Sequence, residues 1–489
     1  MVSSETSPWA KSGGLADVLG SLPSALARRG HPVATLIPRY MGARDAPAAR
    51  VIDGLPIVLG RATYPVSIWQ GIGGDSRIYF LDHAVFNRPG IYGDQTGEFS
   101  DNHIRFALLS KAALEVSRRL FAADIIHCHD WQAALVPAYL KDPRVVDPAL
   151  LGIRTLLTIH NLGYQGQFPH HLFGDLGLPP EFDNPNALEF WGNICLLKAG
   201  VLMADALSTV SPKYAEEIQT PEFGFGMDGM LRERRGVLSG ILNGVDYERW
   251  DPEKDPLIPA RYAAAQIAAG DLRGKEICKR ELVREMGLPE SAMERPLLGI
   301  VSRFAAQKGF DLITQVAGEM FQDDLSLAAL GSGDSSYEEI FRALQQRFPD
   351  RIGLRIGYDD ALAHRIEAGA DIFLMPSHYE PCGLNQIYSL RYGTVPVVRA
   401  TGGLEDTIIS APSADATGFK FVDYNGNAFL SSVREACAGW KDRKAWTKMM
   451  ARGMRKDFSW TASAGDYSRL YGSIASSTGA SESDLGKRA

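Results

Sequence analysis

The amino-acid sequence predicts an α/β protein built of two consecutive Rossmann-like domains. Three observations lead to this fold class. Short apolar runs alternate with amphipathic helical stretches, and the alternation breaks off and then begins again over a segment of similar length. The apolar runs are also continuous, which is typical of parallel strands covered on both faces. Ligands of open parallel sheets bind beyond the carboxyl ends of the strands, so we expect the two domains to face each other across one deep cleft.

The first half opens with an apolar segment, 1–3, which we interpret as a strand. This strand is short, since strands commonly have about five or six residues. Further strands are predicted at 33–37, 77–81, 124–128, 154–159 and 206–210. Helices are predicted at 15–29, 104–120 and 131–140. The Gly-, Pro- and Asp-rich stretches 41–60 and 83–100 are predicted to be loops or excursions.

The second half repeats the pattern. Strands are predicted at 296–301, 325–330, 354–356, 371–375 and 394–398, and helices at 310–321, 337–348, 361–368, 384–392 and 461–474. The turn signal Asn243-Gly244-Val245-Asp246 separates the halves. We therefore predict an N-terminal domain over 1–242, a C-terminal domain over 243–458, a final helix over 459–475 and a disordered tail over 476–489.

The composition excludes several classes of protein. The chain has 489 residues, of which 45% are hydrophobic and 22% charged, as in soluble globular proteins of two or three domains. A formal net charge of −7 argues against nucleic acid or an anionic membrane surface as a partner. No apolar run reaches the length of a membrane span, and no signal peptide is visible. The five cysteines form no C-x-x-C pair, which disfavours a zinc site and favours a reducing cytoplasm.

A glycine-rich segment, Lys11-Ser12-Gly13-Gly14-Leu15-Ala16-Asp17, lies between the first short strand and the first helix. Its two glycines allow a tight loop whose backbone N–H groups approach a ligand, and the positive end of the helix points to the same place. Lys11 adds a full positive charge. The segment is a candidate phosphate site, although an ordinary Gly-rich turn with a solvated lysine explains it equally well.

Polar residues end two neighbouring strands of the first half. His127, His129 and Asp130 end one strand, and His160 and Asn161 end the next. A metal site is disfavoured because adjacent residues of a strand point to opposite faces. Polar side chains also occur at sheet edges simply because the edges are wet. We expect these groups to form hydrogen bonds with a hydroxyl-rich substrate.

Two motifs of the second half follow strands in the same way. Arg303 and Lys308 lie five apart on one loop, where a planar guanidinium and a point charge can converge on a diphosphate, although such cations are often only solvated. Glu380-Pro-Cys-Gly-Leu384 precedes a helix, and its carboxylate could also be a simple helix N-terminal charge. Cys382 is not favoured as a nucleophile because no base is identified for it. Thr401-Gly-Gly-Leu404 adds a third glycine turn.

Together these motifs resemble those of the bacterial glycogen and starch synthase family that uses ADP-glucose. Lys11 to Leu15 matches the family's Lys-Thr-Gly-Gly-Leu signature, with Ser12 in place of threonine. The stretches 302–309 and 380–384 match its Ser-Arg…Gln-Lys-Gly and Glu-Pro-Cys-Gly-Leu motifs. Matches also occur at 129–131, 160–161, 243–246, 391–394 and 401–404, in the same order, so that the resemblance runs from about residue 2 to 475.

The resemblance implies a cytoplasmic, retaining glucosyltransferase of the GT-B type, independent of metal and without a cofactor. Its final helix would cross back to the first domain. It would transfer glucose from ADP-glucose to the non-reducing end of an α-1,4-glucan such as glycogen or a maltooligosaccharide. The resemblance leaves the oligomeric state open.

The resemblance also implies roles for individual residues. The catalytic set would be His160, Arg303, Lys308 and Glu380, with Arg303 and Lys308 on the diphosphate and His160 against the transferring glucose. Substrate would be bound by Lys11, Gly14 and Asp17 (donor phosphate and sugar), Asn243 (donor sugar), Tyr358 (adenine), Cys382, Gly383 and Leu384 (glucose hydroxyls, with Glu380), Tyr92 and Asp130 (acceptor side), and Asn161 and Thr401.

Two departures from the family pattern stand out. The first strand is short, which could loosen the Lys11 loop, and His378-Tyr379 stands where many members have Arg-Phe. Other candidates are a relative that uses UDP-glucose or forms maltose-1-phosphate, and a glucan-binding protein without turnover. The last is disfavoured because a binder has no need to keep four residues together: Lys11, Arg303, Lys308 and Glu380. A dehydrogenase is disfavoured because no G-x-G-x-x-G motif follows a strand.

Overall fold

The structure, a computed structural model, describes residues 1–476, so that all but the first residue of the predicted disordered tail lies outside the described residues. The chain forms two compact units. Unit 1 comprises Met1–Val210, Ala215–Gly244 and the segment that begins at Trp460, and unit 2 comprises Ser211–Tyr214 and Val245–Ser459.

The strands in chain order are β1 Ala34–Pro38, β2 Ala48–Leu59, β3 Ala62–Gly73, β4 Ser76–Asp82, β5 Gly93–Asp94, β6 Gly97–Glu98, β7 Ile125–His129, β8 Arg154–Ile159, β9 Gln167–Pro169, β10 Glu189–Phe190, β11 Asn193–Cys195, β12 Ala206–Thr209, β13 Leu238–Gly240, β14 Leu297–Val301, β15 Ser326–Gly331, β16 Ile352–Ile356, β17 Ile372–Met375, β18 Val395–Arg399 and β19 Phe419–Phe421.

The α-helices are α1 Gly14–Arg28, α2 Asn102–Arg119, α3 Val136–Leu140, α4 Leu196–Met203, α5 Pro212–Glu217, α6 Asp228–Glu233, α7 Ala264–Ala268, α8 Arg273–Glu285, α9 Phe310–Met320, α10 Ser335–Arg347, α11 Asp360–Gly369, α12 Asn385–Arg391, α13 Gly402–Thr407, α14 Gly426–Lys441, α15 Arg443–Met454 and α16 Trp460–Ser476. Within residues 1–476 no helix combines the length and apolar character needed to cross a bilayer.

The sheet of unit 1 is held together at its centre by Val2. Its two four-stranded parts have the orders β2-β3-β4-β1 and β7-β8-β12-β13. Val2 forms parallel bridges to Leu36 of β1 and to Cys128 of β7. Its N–H donates to the carbonyl of His127 at 2.9 Å, and its carbonyl accepts from the N–H of His129 at 3.0 Å. The short first strand of the prediction is therefore a single bridging residue.

Three predictions for the first half were wrong. The stretch 41–60, predicted as a loop, contains the twelve-residue strand β2, which pairs antiparallel with β3 and places Pro56 opposite Pro65. Gly54 and Pro56 suggest a turn, but an edge strand tolerates proline because it has no second neighbour to bond. The sheet is consequently mixed rather than wholly parallel. The predicted helix 131–140 is a 3₁₀ turn at 131–133 followed by the short α3.

The sheet of unit 2 is wholly parallel, with the order β16-β15-β14-β17-β18-β19. The chain runs outward from β14 to β16 and then resumes on the other side of β14 with β17. The loops that follow β14 and β17 therefore leave the same edge at the point where the strand order reverses, which is where open α/β sheets bind ligands. The predicted α/β class is confirmed, and each predicted strand after the first coincides with an observed one within two residues.

Aromatic packing supports the loop that follows β14. The buried ring of Phe304 stacks on Phe341 of α10 at a centroid distance of 5.0 Å, and Phe310 of α9 meets Phe304 edge-on at 5.0 Å. Such contacts add to the burial of apolar area. The loop that carries Arg303 is thus anchored in the core of unit 2.

We expect Phe341→Ala to lower the free energy of unfolding of unit 2 by about 3–5 kcal/mol, because it leaves a cavity beneath Phe304. Urea unfolding followed by hydrogen exchange of β14 and α10 would measure the loss. Ile277→Ala, at an exposed position of α8, is the control and should change the midpoint little. Equal midpoints for the two variants would contradict the anchoring role.

Candidate active site

In unit 2 the loops that follow β14 and β17 bind each other through their backbones. The N–H of His378 donates to the carbonyl of Gln307 at 2.8 Å, and the side-chain amide of Gln307 donates to the carbonyl of Tyr379 at 3.2 Å. Gly309 has φ +72°, and a Cβ there would lie 1.9 Å from the carbonyl oxygen of Pro376. Only glycine permits this approach, so the two predicted motifs form one site.

The centre of this site is an ion pair. Lys308 Nζ lies 2.6 Å from Glu380 Oε2, and the side chains are 22% and 7% exposed. The hydroxyl of Ser377 donates to the same carboxylate oxygen at 3.0 Å. Arg303 is exposed, and within residues 1–476 its side chain has no ion-pair or hydrogen-bonding partner. One cation is therefore held by a carboxylate while the other is available to a ligand.

A glycine turn supports the Glu380 motif from behind. The N–H of Gly403 donates to the carbonyl of Glu380 at 3.1 Å. A Cβ on Gly402 would lie 1.9 Å from that carbonyl oxygen, and a Cβ on Gly403 would lie 1.9 Å from the carbonyl oxygen of Cys382. Thr401, the residue before α13, is buried. The third predicted motif thus fixes the backbone of the second.

The end of the motif is held by Gln386 of α12. Its side-chain amide donates to the carbonyls of Cys382 at 3.0 Å and Gly383 at 3.1 Å. Gly383 has φ +69°, a conformation that favours glycine, and Leu384 directly precedes α12. Cys382 is buried.

Tyr358 is not brought to this cluster. It follows β16 at the edge of the sheet, two strands away from β14, and its side chain is 83% exposed. Its hydroxyl lies 3.4 Å from Asp360 Oδ1. Of the predicted residues in unit 2, the structure brings together Lys308, Glu380, Cys382, Gly383, Leu384 and Thr401, with Arg303 on the same loop as Lys308.

In unit 1 the Lys11 loop is organised by a residue that the sequence analysis missed, Glu5. Its buried carboxylate accepts from the N–H groups of Ser12 at 2.5 Å and Gly13 at 3.2 Å, and from the Ser12 hydroxyl at 2.7 Å. The loop N–H groups expected to face a phosphate thus hold a carboxylate. No spacing rule links Glu5 to the loop, and only its acidic character could have drawn attention to it.

Tyr92 belongs to the same cluster. Its hydroxyl donates to Glu5 Oε1 at 2.5 Å and lies 2.7 Å from the hydroxyl of Ser4. Burial, and then the Glu5 charge, raise the pKa of Tyr92 well above its usual value, so the phenol stays protonated. Lys11 Nζ lies 2.6 Å from Asp17 Oδ1 at the exposed side of the loop, and Gly14 begins α1.

Asp130 ties the ends of β7 and β8 together. Its N–H donates to the carbonyl of Thr158 at 2.9 Å, and its Oδ1 accepts from the N–H of His160 at 2.7 Å. It has φ 56°, which is uncommon for a residue with a Cβ. Burial raises the pKa of its carboxyl to about 7, even though the bonds from the N–H groups of His160 and Asn161 oppose the shift.

Three histidines lie next to one another beside Asp130, with their rings tilted against each other. The rings of His127 and His129 lie 4.0 Å apart, and His129 Nδ1 lies 3.0 Å from His160 Nε2. Burial lowers the pKa of all three, that of His160 to about 3, so the rings are neutral. Within residues 1–476 no three His, Cys, Asp or Glu side chains are arranged so that they could hold a metal ion.

The contact between His129 and His160 bears on which nitrogen of His160 carries the proton. His129 Nε2 is buried, and within the described chain it has no hydrogen-bond partner. Buried N–H groups are left without a partner less often than buried acceptors, so we assign the proton of His129 to Nδ1, from which it would donate to His160 Nε2. His160 is then protonated on Nδ1 and can offer that N–H to a ligand.

The two asparagines lie at the same edge of the sheet. Asn161 follows β8, and its side-chain oxygen accepts from the N–H of Gly163 at 3.0 Å. Asn243 follows β13 and is buried, and its side-chain oxygen has no partner within residues 1–476. An orphaned buried oxygen commonly marks a place for a ligand or water.

Two families of known proteins match the chain. Residues 1–233 match the starch synthase catalytic domain, and residues 288–452 match the glycosyl transferases group 1. Each match covers most of one unit and includes the motifs described above.

Similar full-length proteins carry the name glycogen synthase. The glycogen synthase of Koribacter versatilis (strain Ellin345) is 48% identical over 472 residues, which cover 96% of each chain. The glycogen synthase of Anaeromyxobacter sp. (strain Fw109-5) is 50% identical over 479 residues, 97% of this chain and 98% of that one.

Solved structures agree with these matches. The catalytic domain of starch synthase IV from Arabidopsis thaliana, bound to ADP and acarbose, has a TM-score of 0.87 and 32% identity over 97% of this chain and 98% of its own. Sucrose-phosphate synthase from Thermosynechococcus elongatus has a TM-score of 0.59 and 18% identity over 97% and 98% of the two chains, which supports the fold alone.

The raised pKa of Asp130 predicts a dependence of stability on pH. The folded state keeps this proton up to about pH 7, whereas a carboxyl with the ordinary value of 3.8 has lost it in the unfolded state. Between these two values the folded state holds the Asp130 proton and the unfolded state does not, so the contribution of Asp130 to stability falls as the pH rises from 4 to 7. The lowered pKa values of the three buried histidines act in the opposite direction. Asp130→Asn keeps an acceptor but has no proton to lose. We expect the free energy of unfolding of the variant, relative to that of the wild type, to rise by up to about 4 kcal/mol from the lower to the upper end of this range.

Urea unfolding of both proteins at pH 4.5, 6 and 7.5 measures this difference. The histidines titrate in both proteins and largely cancel. A stability difference that is the same at all three pH values would contradict a raised pKa at Asp130.

Proposed function

The chain belongs to the glycogen and starch synthase family, and we propose that it transfers glucose from ADP-glucose to the non-reducing end of an α-1,4-glucan with retention of the anomeric configuration. The observation that carries the proposal is the site of unit 2, where Lys308, Glu380 and the available Arg303 lie at the reversal of strand order. The relative bound to ADP and acarbose supports a nucleotide donor and a glucan acceptor.

Arg303 and Lys308 are proposed to bind the donor diphosphate. When the bond between sugar and phosphate breaks, negative charge develops on the departing ADP, and cations in place beforehand stabilise it. The guanidinium of Arg303 offers two parallel N–H groups, while Lys308 offers a point charge. Glu380 keeps the Lys308 ammonium in place at 2.6 Å before the donor arrives.

The Glu380 motif is proposed to hold the hydroxyl groups of the donor glucose, together with Cys382, Gly383 and Leu384. Its backbone is fixed by the Thr401 turn and by Gln386, as hydroxyl recognition requires. The exposed ring of Tyr358 is a candidate for contact with adenine, since it offers a flat apolar face.

In unit 1, Lys11, Gly14 and Asp17 are proposed to contact donor phosphate and sugar. His160 would donate its Nδ1–H to an oxygen of the transferring glucose, and Asn161 and Asn243 would bind the sugar. Tyr92 and Asp130 are proposed to serve the acceptor side. We propose that Glu5 positions residues of both sets, because its carboxylate accepts hydrogen bonds from the Tyr92 hydroxyl and from the N–H of Ser12 in the Lys11 loop.

The reaction is proposed to proceed at one face of the sugar. The bond from C1 of glucose to the β-phosphate oxygen breaks and leaves its electron pair on ADP. The acceptor 4-hydroxyl oxygen forms the new bond to C1 on the same face, and its proton passes to the departing phosphate oxygen. A protein nucleophile is not required by this path.

We propose that the reaction needs no metal, because Arg303 and Lys308 can neutralise the leaving group. We also propose a cytoplasmic enzyme, since all five cysteines are free thiols, as is usual in a reducing compartment.

The first test is incorporation of glucose into glycogen from ADP-glucose and, in parallel, from UDP-glucose, each with EDTA. We expect incorporation from ADP-glucose with EDTA present. Incorporation only from UDP-glucose would overturn the donor, and loss of activity on addition of EDTA would overturn metal independence. Incorporation from neither, with free glucose-1-phosphate accepting glucose instead, would identify the chain as a maltose-1-phosphate-forming relative.

We expect Arg303→Ala to lower kcat/KM for ADP-glucose about 100-fold or more, because a cation aimed at the leaving group is lost. The thermal midpoint should not change, since the Arg303 side chain has no partner in the described chain. Lys308→Ala should cause a similar loss of turnover and some loss of stability, because it leaves Glu380 buried without its cation.

Lys448→Ala is the matched control, since Lys448 is an exposed cation of α15 in the same unit. It should retain full activity. Wild-type turnover in both Arg303→Ala and Lys308→Ala would contradict the proposal that these two residues bind the donor diphosphate.

A further inference from the structure

Unit 1 exposes three aromatic side chains on segments that contact each other. Tyr164, Trp191 and Phe225 are 52%, 82% and 41% exposed. Large apolar side chains in contact with water cost free energy, and clusters of them usually mark a binding surface. The residues assigned above to the donor and acceptor do not include these three.

Two of the three occupy strained backbone. Trp191 has φ 54° and Phe225 has φ 46°, and each is followed by a left-handed glycine, Gly192 at +79° or Gly226 at +82°. Within residues 1–476 the only other non-glycine residue with positive φ is Asp130 of the candidate site. A bulky residue in this conformation costs about 1–3 kcal/mol, and such strain concentrates at functional sites.

The turn between β10 and β11 makes the strain at Trp191 specific. Trp191 and Gly192 form a two-residue hairpin turn with both φ values positive. This turn favours Asn-Gly, because asparagine tolerates the left-handed region. A tryptophan that replaces the favoured residue and points into water does not serve the turn itself.

The three segments form a continuous surface. A Cβ on Gly226 would lie 3.3 Å from the Phe190 ring and 3.7 Å from Trp191 Nε1. The side-chain amide of Gln165, next to Tyr164, donates to the carbonyl of Phe225 at 3.1 Å. We call the surface formed by Tyr164, Trp191 and Phe225 the aromatic platform.

The platform is connected to the candidate site. Gly166 lies directly on the ring of Trp131, since a Cβ there would be 2.4 Å from it, and Trp131 follows Asp130. Asp130 is thus linked to the platform within one unit: Trp131 follows Asp130 in sequence, and its ring contacts Gly166, two residues after Tyr164.

We propose that the aromatic platform binds sugar rings of the α-glucan acceptor away from the reacting end. This rests on the proposed function, which makes the ligand a polymer longer than the one unit that reacts. A glucose ring has an apolar C–H face that fits an aromatic ring and hydroxyls that bond to tips such as Trp Nε1–H and Tyr O–H. It carries no charge, and the three side chains offer none.

The strain supplies a test that separates binding from folding. Trp191→Asn places a favoured residue in the turn while it removes the ring, so the variant should be at least as stable as the wild type and yet bind glucan more weakly. Phe225→Asn follows the same logic. Trp191→Tyr keeps a ring and should keep most of the affinity. Val146→Asn removes an 83% exposed apolar side chain elsewhere in unit 1 and is the matched control.

Binding of maltoheptaose would be measured by calorimetry without donor, and migration in native gels that contain glycogen would measure binding of the polymer. Loss of one aromatic contact should weaken binding about tenfold, equivalent to about 1.4 kcal/mol. The two asparagine variants should show this loss, and Val146→Asn should match the wild type.

Equal affinities in Trp191→Asn, Phe225→Asn and the wild type would overturn the platform even if glucose transfer from ADP-glucose is found. Weakened binding in the two variants of a protein that transfers no glucose would sustain the platform while the proposed function fails. A wild type that is a dimer and a Trp191→Asn variant that is a monomer, with equal glucan affinities, would assign the surface to a second copy of this chain and overturn glucan binding.

Discussion

A buried carboxylate with a negative charge must find a cation or several donors, and this requirement organises the site of unit 2. Glu380 is almost completely buried, so its charge depends on Lys308 and on the hydroxyl of Ser377. Lys308 belongs to the loop after β14, whereas Glu380 belongs to the loop after β17. The pair holds the loops together at the reversal of strand order, and Gly309 allows their backbones to approach.

Unit 1 also contains a buried carboxylate, that of Glu5, but its hydrogen-bond donors are uncharged. The carboxylate is satisfied by the N–H groups of Ser12 and Gly13 and by the hydroxyl of Tyr92. These donors come from segments that are far apart in sequence, so Glu5 joins the start of α1 to the segment before α2. Both units thus use a buried carboxylate to fix a glycine-rich loop. The difference is that in unit 2 a cation, Lys308, pairs with the carboxylate, and Arg303 lies on the same loop as that cation.

Three residues of unit 1 other than glycine have a positive φ among the described residues: Asp130, Trp191 and Phe225. Asp130, with its positive φ, is bonded to Thr158 and to the N–H of His160, one of the three neighbouring histidines. Trp191 and Phe225 share this strain but lie on the surface. Residues that tolerate these backbone angles better exist, so the strain is an observation in support of the proposed binding role of the two rings.

The sequence by itself determined the α/β class, because continuous apolar strands and amphipathic helices are local patterns. It also determined the motifs at 302–309, 380–384 and 401–404, because glycines and charges at strand ends are visible in one dimension. Only the tertiary structure decided that Lys308 pairs with Glu380, that Glu5 occupies the N–H groups of the Lys11 loop, and that β2 is an antiparallel edge strand. Hydrogen bonds and ion pairs between distant segments depend on which strands become neighbours, and no local spacing encodes that order.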